Sequence, residues 1–166
     1  MILLISLAVV LIAAVTITLV VLLTGEDQIL PPDYPPQNSD PNQIPIPDDE
    51  GGKLESPTGG GAVNVTYSQT VTVTRSDRKA TLYYANPSRS NQNVAIAIVI
   101  GDVVVVRSAL ITPGNMITEL TLEDNVANTL SVGGYDAELI VYCYHPETGE
   151  KAMVDTKAMI TVQVID

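Results

Sequence analysis

Apolar side chains follow three patterns along the chain, and each pattern predicts a different kind of structure. Residues 2–24 form a continuous stretch of 23 uncharged residues, in which four hydroxyl side chains are the only departure from Leu, Ile, Val and Ala. As a helix, such a stretch covers roughly 34 Å at about 1.5 Å per residue, which is enough for a bilayer core of about 30 Å. The pattern predicts one N-terminal transmembrane helix, assigned to residues 1–24 and surrounded by membrane lipid.

A cleaved signal peptide is one alternative for this stretch, and a buried helix of a soluble protein is another. Cleavage requires small residues after the apolar stretch, but the stretch ends in Leu22-Leu23-Thr24, and no Cys follows for a lipid anchor. We therefore expect an uncleaved single-pass anchor. Its orientation is inferred indirectly, because no basic side chain precedes it. The acidic and β-rich sequence after it suits a protein of the cell membrane with an extracytoplasmic C-terminal domain.

Residues 25–61 replace the apolar pattern with Pro, Gly and acidic side chains. The segment holds eight of the eleven prolines, and its eight Asp or Glu and one Lys give a local charge of −7. Proline favours polyproline II, and like charges extend a chain further. We expect a disordered, extended, Pro-rich linker. A PxxP ligand is the alternative interpretation, but basic residues are absent around these prolines.

From residue 62 to residue 166 apolar and polar residues alternate over short segments that end at turn signals, which is typical of half-buried strands. Seven strands in about 100 residues fit an immunoglobulin-like antiparallel β-sandwich, with at most one helical turn over residues 122–130. The predicted strands cover residues 63–74, 80–85, 94–100, 103–110, 116–122, 135–144 and 152–165.

Leu130, Gly133 and Tyr135 have the L-x-x-G-x-Y spacing of a tyrosine corner. In such a corner a Tyr at the start of the sixth strand donates its hydroxyl to backbone a few residues upstream, and the Gly supplies backbone freedom. The motif lies at the start of the sixth predicted strand, which makes it the strongest sequence support for the sandwich. The Cys and Trp pair of antibody domains is absent, so the fibronectin III and bacterial surface types fit better.

Three stretches carry a further likeness: NPSRSNQNVAIAIVIGD (86–102), LITPGNMITELTL (110–122) and GGYDAELIVYCYHPETGEKAMV (133–154). Together they resemble uncharacterised membrane-anchored surface proteins of Gram-positive bacteria. Proteins of this kind have an N-terminal membrane helix, an acidic Pro-rich linker and a single β-sandwich. The resemblance implies surface display, and it implies no activity and no site residues.

Composition excludes several classes of function. The net charge of −11 argues against a nucleic-acid partner, which requires clustered Lys and Arg. Cys143, His145 and Met153 suggest a blue-copper site, but that site needs a second His, and His145 is the only one in the chain. The acidic runs lack the spacing of a calcium loop. We therefore expect no enzyme, no cofactor and no metal.

One strand face is a candidate protein-contact surface. If the last two strands form a hairpin that turns at Thr148-Gly149, its outer face pairs Tyr144 with Met153, Tyr142 with Asp155, Ile140 with Lys157 and Glu138 with Met159. The resulting patch of aromatic, Met and Ile side chains suits protein contact, although ordinary cross-strand packing is the alternative. The candidate contact residues are Ile140, Tyr142, Tyr144, Met153 and Met159.

Two functions are consistent with this layout. The first is a non-enzymatic cell-envelope protein that holds an interaction domain away from the membrane to bind an extracellular protein or glycan. The second is a structural subunit, and hence a homo- or hetero-oligomer, of a pilin-like surface filament or of a membrane secretion or conjugation complex. Both rest on architecture and not on a site.

Overall fold

The protein belongs to the all-β class, as the alternating pattern predicts, and its strands pair in one curled sheet. The computed structural model describes residues 35–36, 38–55, 62–153 and 155–166. In these ranges the elements are β1 (Ile44–Pro45), β2 (Thr66–Tyr67), β3 (Thr70–Thr74), β4 (Lys79–Asn86), β5 (Asn93–Ile100), β6 (Val103–Arg107), β7 (Asn115–Thr121), α1 (Val126–Thr129), β8 (Gly133–Tyr144) and β9 (Thr156–Ile165).

The sheet has the strand order β1-β7-β4-β3-β9-β8-β5-β6, and β2 pairs with β4 beside this path. Neighbouring strands are antiparallel except for β3 and β9, which run parallel from Thr70 opposite Thr161 to Thr74 opposite Ile165. The sheet curls, so that β6 and β7 contact each other although they lie far apart in this order. The core fills the inside of the curl.

Alternation decides which side chains enter the core. Along β3, Val71 and Val73 are buried, while the Thr side chains between and beside them point outward. The strand β5, which lies between β8 and β6, has the sequence NVAIAIVI and is buried on both faces, as a nearly continuous apolar strand should be. The largest fully buried side chains of the core are Tyr84, Ile96, Ile98, Ile111, Ile117, Val105, Val106 and Val162.

Each of the seven predicted strand regions contains a strand, but the first is divided. The chain pairs with β4 through β2, and at Ser68 the backbone N–H donates to the Tyr83 carbonyl at 2.9 Å. One residue later the chain gains β9 as a second partner, because Thr161 of β9 donates its backbone N–H to the Gln69 carbonyl at 2.8 Å. The predicted strand over 63–74 is therefore two strands that both pair with β4, in registers that differ by two residues, and β3 alone also pairs with β9.

Helical structure is confined to α1 in the part of the chain that the structure describes, and α1 lies inside the 122–130 segment predicted to form a helical turn. None of the described helices is long and apolar enough to cross a membrane. The transmembrane helix predicted over residues 1–24 lies outside the described residues and stays a prediction.

The segment between α1 and β8 has the hydrogen bond that defines a tyrosine corner. The Tyr135 hydroxyl donates to the Ser131 carbonyl at 2.9 Å, four residues upstream. Leu130 is buried, and Gly133 has φ of 150°, a left-handed value that favours glycine. The Tyr135 ring is half-buried against the core, so it is more exposed than the sequence predicted.

Removing this hydroxyl should weaken the fold slightly. We expect Tyr135→Phe to lower the free energy of unfolding by about 1 kcal/mol, because the ring stays packed and one partly solvated hydrogen bond is lost. Urea denaturation followed by circular dichroism measures the change. Tyr83→Phe is the matched control, since Tyr83 lies at the surface. Equal effects of the two substitutions would contradict a tyrosine corner at Tyr135.

Candidate functional site: the two loop ends of the sheet

The connections between strands lie at two opposite ends of the sheet. One end carries the β4–β5, β6–β7 and β8–β9 loops, and we call it the strap end because residues 38–55, the strap, lie across it. The other end carries the β3–β4 and β5–β6 turns and the β7–β8 connection, and we call it the far end. The two ends differ in what covers them.

The strap follows the β6–β7 loop through backbone hydrogen bonds. Asp40 donates its N–H to the Leu110 carbonyl at 2.7 Å, and β1 pairs antiparallel with the first two residues of β7. Ile46 then donates its N–H to the Gly114 carbonyl at 3.0 Å. An extended segment thus adds to the edge of the sheet in the manner of a β-strand addition.

Asp40 fixes the start of the strap with a buried carboxylate. Its side chain accepts the Asn42 N–H at 2.9 Å through Oδ1 and the Ala109 N–H at 2.8 Å through Oδ2, and the residue is only 4% exposed. Hydrogen bonds from N–H groups to an ionised carboxylate are stronger than neutral ones. Asp40 therefore joins the strap to a loop 69 residues further along the chain.

The second half of the strap is bound to the β4–β5 loop. Asp49 accepts the Ser88 N–H through its carboxylate, and Leu54 donates its N–H to the Arg89 carbonyl at 2.7 Å. The Asn91 side chain binds the chain at both Leu54 and Ala62. Its Nδ2 donates to the Leu54 carbonyl, and its Oδ1 accepts the Ala62 N–H at 2.8 Å. The strap therefore covers two of the three loops of this end.

These contacts correct the prediction of an extended linker over residues 25–61. Residues 38–55 belong to the folded domain, and the boundary predicted at residue 62 is too late for this segment. The sequence could not indicate this, because acidic side chains normally remain in water, whereas Asp40 and Asp49 accept backbone N–H groups of distant loops. The predicted linker residues 25–34, 37 and 56–61 lie outside the described residues.

The predicted contact face of the β8–β9 hairpin is mostly closed. Ile140, Tyr142 and Tyr144 are buried, so the interpretation of these three as an open contact surface is wrong. Met153 and Met159 are exposed, at 99% and 68%. The face therefore offers two separate methionines and no continuous aromatic patch.

Two causes explain the closure. The outward side chains of the neighbouring strand β5 include Ala95 and Ala97, which are small enough for Ile140 and Tyr142 to pack over them. Lys151 then lies over the Tyr142 ring, 5.7 Å from its centroid, and pairs with Asp155 at 2.7 Å. Burial first, and the Asp155 carboxylate second, raise the pKa of Tyr142.

The register of the β8–β9 hairpin agrees with the prediction along the two strands but not next to the turn. Ile140 lies opposite Lys157 and Glu138 lies opposite Met159, as expected, but Tyr144 lies opposite Lys151 instead of Met153. The pairing at Tyr144 is shifted by two residues relative to the pairing at Ile140, and the two extra residues lie between Lys151 and β9. Met153 lies in this irregular part, which is why it protrudes into solvent.

Cys143, His145 and Met153 are not brought together. Cys143 points into the core, whereas His145 is exposed and accepts the N–H groups of Glu147 and Thr148 through Nδ1. Burial, as the largest cause, raises the pKa of the Cys143 thiol to about 11. No group of three metal-binding side chains occurs within the described ranges.

The core also contains polar atoms near the strap end. The hydroxyl of Tyr84 is fully buried, and no hydrogen-bond partner lies within the part of the chain that is described. Burial raises the pKa of Tyr84 strongly. Asn86, two residues later on the same strand face, donates through Nδ2 to the carbonyls of Gln92 and Ile111, both at 3.0 Å.

A polar cavity of about 470 Å³ lies at the far end, and the strap does not reach it. Its polar lining consists of Arg75, Ser76, Arg78, Asp124, Asn125 and Asn128. None of these was predicted as a site residue, because they come from two segments that are about 50 residues apart and match no motif.

Each of the two arginines of the cavity has a carboxylate partner. Arg75 donates through Nε to the Ala127 carbonyl at 2.9 Å and through Nη1 to Asp166 at 3.1 Å. Arg78 donates through Nη2 to Asp124 at 3.2 Å. Both carboxylates are exposed to solvent, at 81% for Asp166 and 97% for Asp124.

Comparisons with known proteins found a likeness to a solved structure. No protein-family model matches the chain, and no curated protein does. The chain is similar to AggA, the major subunit of aggregative adherence fimbriae type I from Escherichia coli, with 12% sequence identity and a TM-score of 0.35. The match covers 68% of this chain and all of AggA.

The Asp40 carboxylate should be the main anchor of the strap. We expect Asp40→Ala to lower the free energy of unfolding by about 2 kcal/mol, because two N–H groups lose a charged acceptor in a buried position. Asp40→Asn should cost less, since one oxygen acceptor remains. Glu50→Ala, at an exposed strap position, should change the free energy by less than about 0.5 kcal/mol. Chemical denaturation of the full chain in detergent measures all three, and equal values for Asp40→Ala and Glu50→Ala would contradict the assigned role.

The buried thiol predicts a loss of stability in alkali. The pKa of Cys143 rises from 9.0 to about 11 on folding, so the folded state favours the neutral thiol. This stabilisation is fully present below the unfolded pKa and is lost as the pH rises through the folded value. Unfolding free energies of the wild type should therefore fall more steeply than those of Cys143→Ala between these two pH values. Parallel curves for the two proteins would show that the thiol does not titrate differently on folding.

Proposed function

We propose that the protein is a non-enzymatic cell-envelope protein that displays its β domain outside the membrane and binds an extracellular protein or glycan. The observation that carries the proposal is the order of the chain. An uncharged apolar stretch at residues 2–24 precedes a strap that is bound to one end of the domain only. The other end is left uncovered by the strap.

The finer fold assignment belongs to this proposal. We infer an immunoglobulin-like sandwich, with β9, β8, β5 and β6 in one layer and β3, β4 and β7 in the other. Three observations support this topology: the parallel pairing of β3 with β9, the start of that pairing at Gln69, and the Tyr135–Ser131 hydrogen bond. The likeness to Gram-positive surface proteins remains a prediction.

The strap shortens the spacer that the sequence suggested. Residues 25–61 would reach on the order of 100 Å if they were all extended, at about 3 Å per residue. With residues 38–55 bound to the domain and Pro35 lying beside Gly149 of the β8–β9 loop, only residues 25–34 are left as a tether, and their contour is limited to roughly 30 Å by the same rise per residue. The proposed display is therefore closer to the membrane surface.

Cysteine labelling of cells that make the protein tests this function. Cys143→Ala combined with Glu147→Cys places the only thiol on an exposed loop. We expect this variant in the membrane fraction and labelled by a membrane-impermeant maleimide on intact cells, while deletion of residues 2–24 should release it. The wild type, with its buried thiol, is the control. Labelling only after lysis would contradict extracytoplasmic display.

The filament or complex subunit stays the alternative, and the same labelled cells distinguish it. Negative-stain microscopy of cells labelled with a gold-conjugated maleimide would show dispersed gold particles if the protein is a tethered monomer. Regular fibres that carry the label and disappear with the gene would replace the display proposal with the pilin-like subunit.

A further inference from the structure

We propose that the far-end cavity binds a neutral oligosaccharide. This inference rests on the proposed function, because it names the class of partner that the displayed domain would meet. It starts from position: the strap covers the β4–β5 and β6–β7 loops of one end, whereas the cavity lies where the β3–β4 turn meets α1 at the other end. A large ligand can approach the cavity without displacing the strap.

The chemistry of the lining matches sugar hydroxyl groups. A hydroxyl both donates and accepts, and pairs of adjacent hydroxyls match planar groups that offer two polar atoms side by side. The cavity presents such groups as the guanidinium of Arg78, the carboxylate of Asp124 and the carboxamides of Asn125 and Asn128. The cavity has a volume of about 470 Å³ and is open to solvent, so it suits a few residues of a larger ligand.

The charges favour a neutral ligand over an anionic one. Each arginine already has a carboxylate partner, Asp166 for Arg75 and Asp124 for Arg78. An anion would have to compete with these carboxylates and with the net charge of −11 of the chain. A neutral sugar can instead use the nitrogen atoms that these ion pairs leave over, since a guanidinium has five N–H donors.

The backbone holds the lining in a fixed arrangement. Arg78 and Asn125 have φ of 55° and 65°, in the left-handed region that residues other than glycine rarely adopt. They are two of the three such residues in the described part of the chain, and both line this cavity. Residues kept in rare conformations cluster at functional sites, and a site fixed before binding loses less entropy when the ligand arrives.

Hydrogen bonds within the β3–β4 turn and from the turn to its neighbours support this arrangement. Leu122 donates its N–H to the Arg78 carbonyl at 2.9 Å, and Arg78 donates its own N–H to the Arg75 carbonyl at 3.2 Å. The Arg75 side chain then reaches across to Ala127 in α1. These hydrogen bonds therefore join the turn to the end of β7 and to α1 beside the cavity.

Nuclear magnetic resonance of the full chain, in a zwitterionic detergent without a sugar head group, tests the proposal. The neutral probes are maltotriose, cellotriose, mannotriose and triacetylchitotriose, each titrated to about 20 mM because a small open site implies millimolar affinity. The acidic probe is 3′-sialyllactose. We expect at least one neutral probe to shift the amide signals of residues 75–78 and 123–129 and to leave those of the strap unchanged.

Matched variants identify the groups that bind. Arg78→Gln and Asn128→Ala should each raise the dissociation constant by about tenfold, which corresponds to about 1.4 kcal/mol. Arg89→Ala removes an exposed arginine at the strap end and should leave binding unchanged. Both cavity variants should keep the amide spectrum of the folded core, which separates lost binding from lost folding.

Three outcomes would overturn the proposal: no neutral probe shifts the cavity signals, sialyllactose alone shifts them, or binding is the same in the cavity variants and the wild type. Failure here leaves the display function standing, because that function is read from cell fractionation and labelling. Conversely, a cytoplasmic domain in the labelling experiment would leave a measured sugar affinity intact but would remove its proposed setting.

Discussion

The fold depends on β3, which is the one strand that joins the two halves of the sheet. It is paired with β4 on one edge, antiparallel, and with β9 on the other, parallel. Its two inward side chains, Val71 and Val73, are buried in the core between the halves. Without β3 the strand order would break into β1-β7-β4 and β9-β8-β5-β6, and neither part could cover its apolar face alone. The curl and the single core both follow from this strand.

Much of the domain could be predicted because its strands obey a local rule. Alternation identified each strand region, and the spacing of Leu130, Gly133 and Tyr135 identified the hydrogen bond from Tyr135 to Ser131. The burial of Tyr142 could not be found in this way, because it depends on small side chains of β5 and on Lys151, which reaches the ring from the other side of the turn. Such packing depends on which strand lies beside β8, and the sequence of β8 alone does not show this.

The strap and the far-end cavity were beyond prediction for a related reason. Asp40 is bound to Ala109, 69 residues away, and Arg75 is bound to Ala127, 52 residues away, so no local pattern marks either contact. The composition of the strap even indicated the opposite, since Pro and acidic residues normally stay in water. A composition of Pro and acidic residues indicates that a segment cannot form an apolar core of its own. This is true of the strap. It uses carboxylates and main-chain groups against loops that another part of the chain has already ordered.

The edges of the sheet bear on whether the domain acts alone or as a subunit. The outermost strand β1 ends in Pro45, which has no N–H to donate, so a further strand cannot pair along β1 without losing a hydrogen bond. Beyond β1, the edge of β7 carries Glu119, whose ion pair with Lys79 at 2.7 Å places two charged side chains beside it. At the other edge, the Val105 carbonyl of β6 already accepts the Glu123 N–H at 2.9 Å. Proline, charge and covering segments are the means by which natural sheets avoid pairing edge to edge. The described edges of this domain therefore disfavour a filament built by edge-to-edge strand pairing.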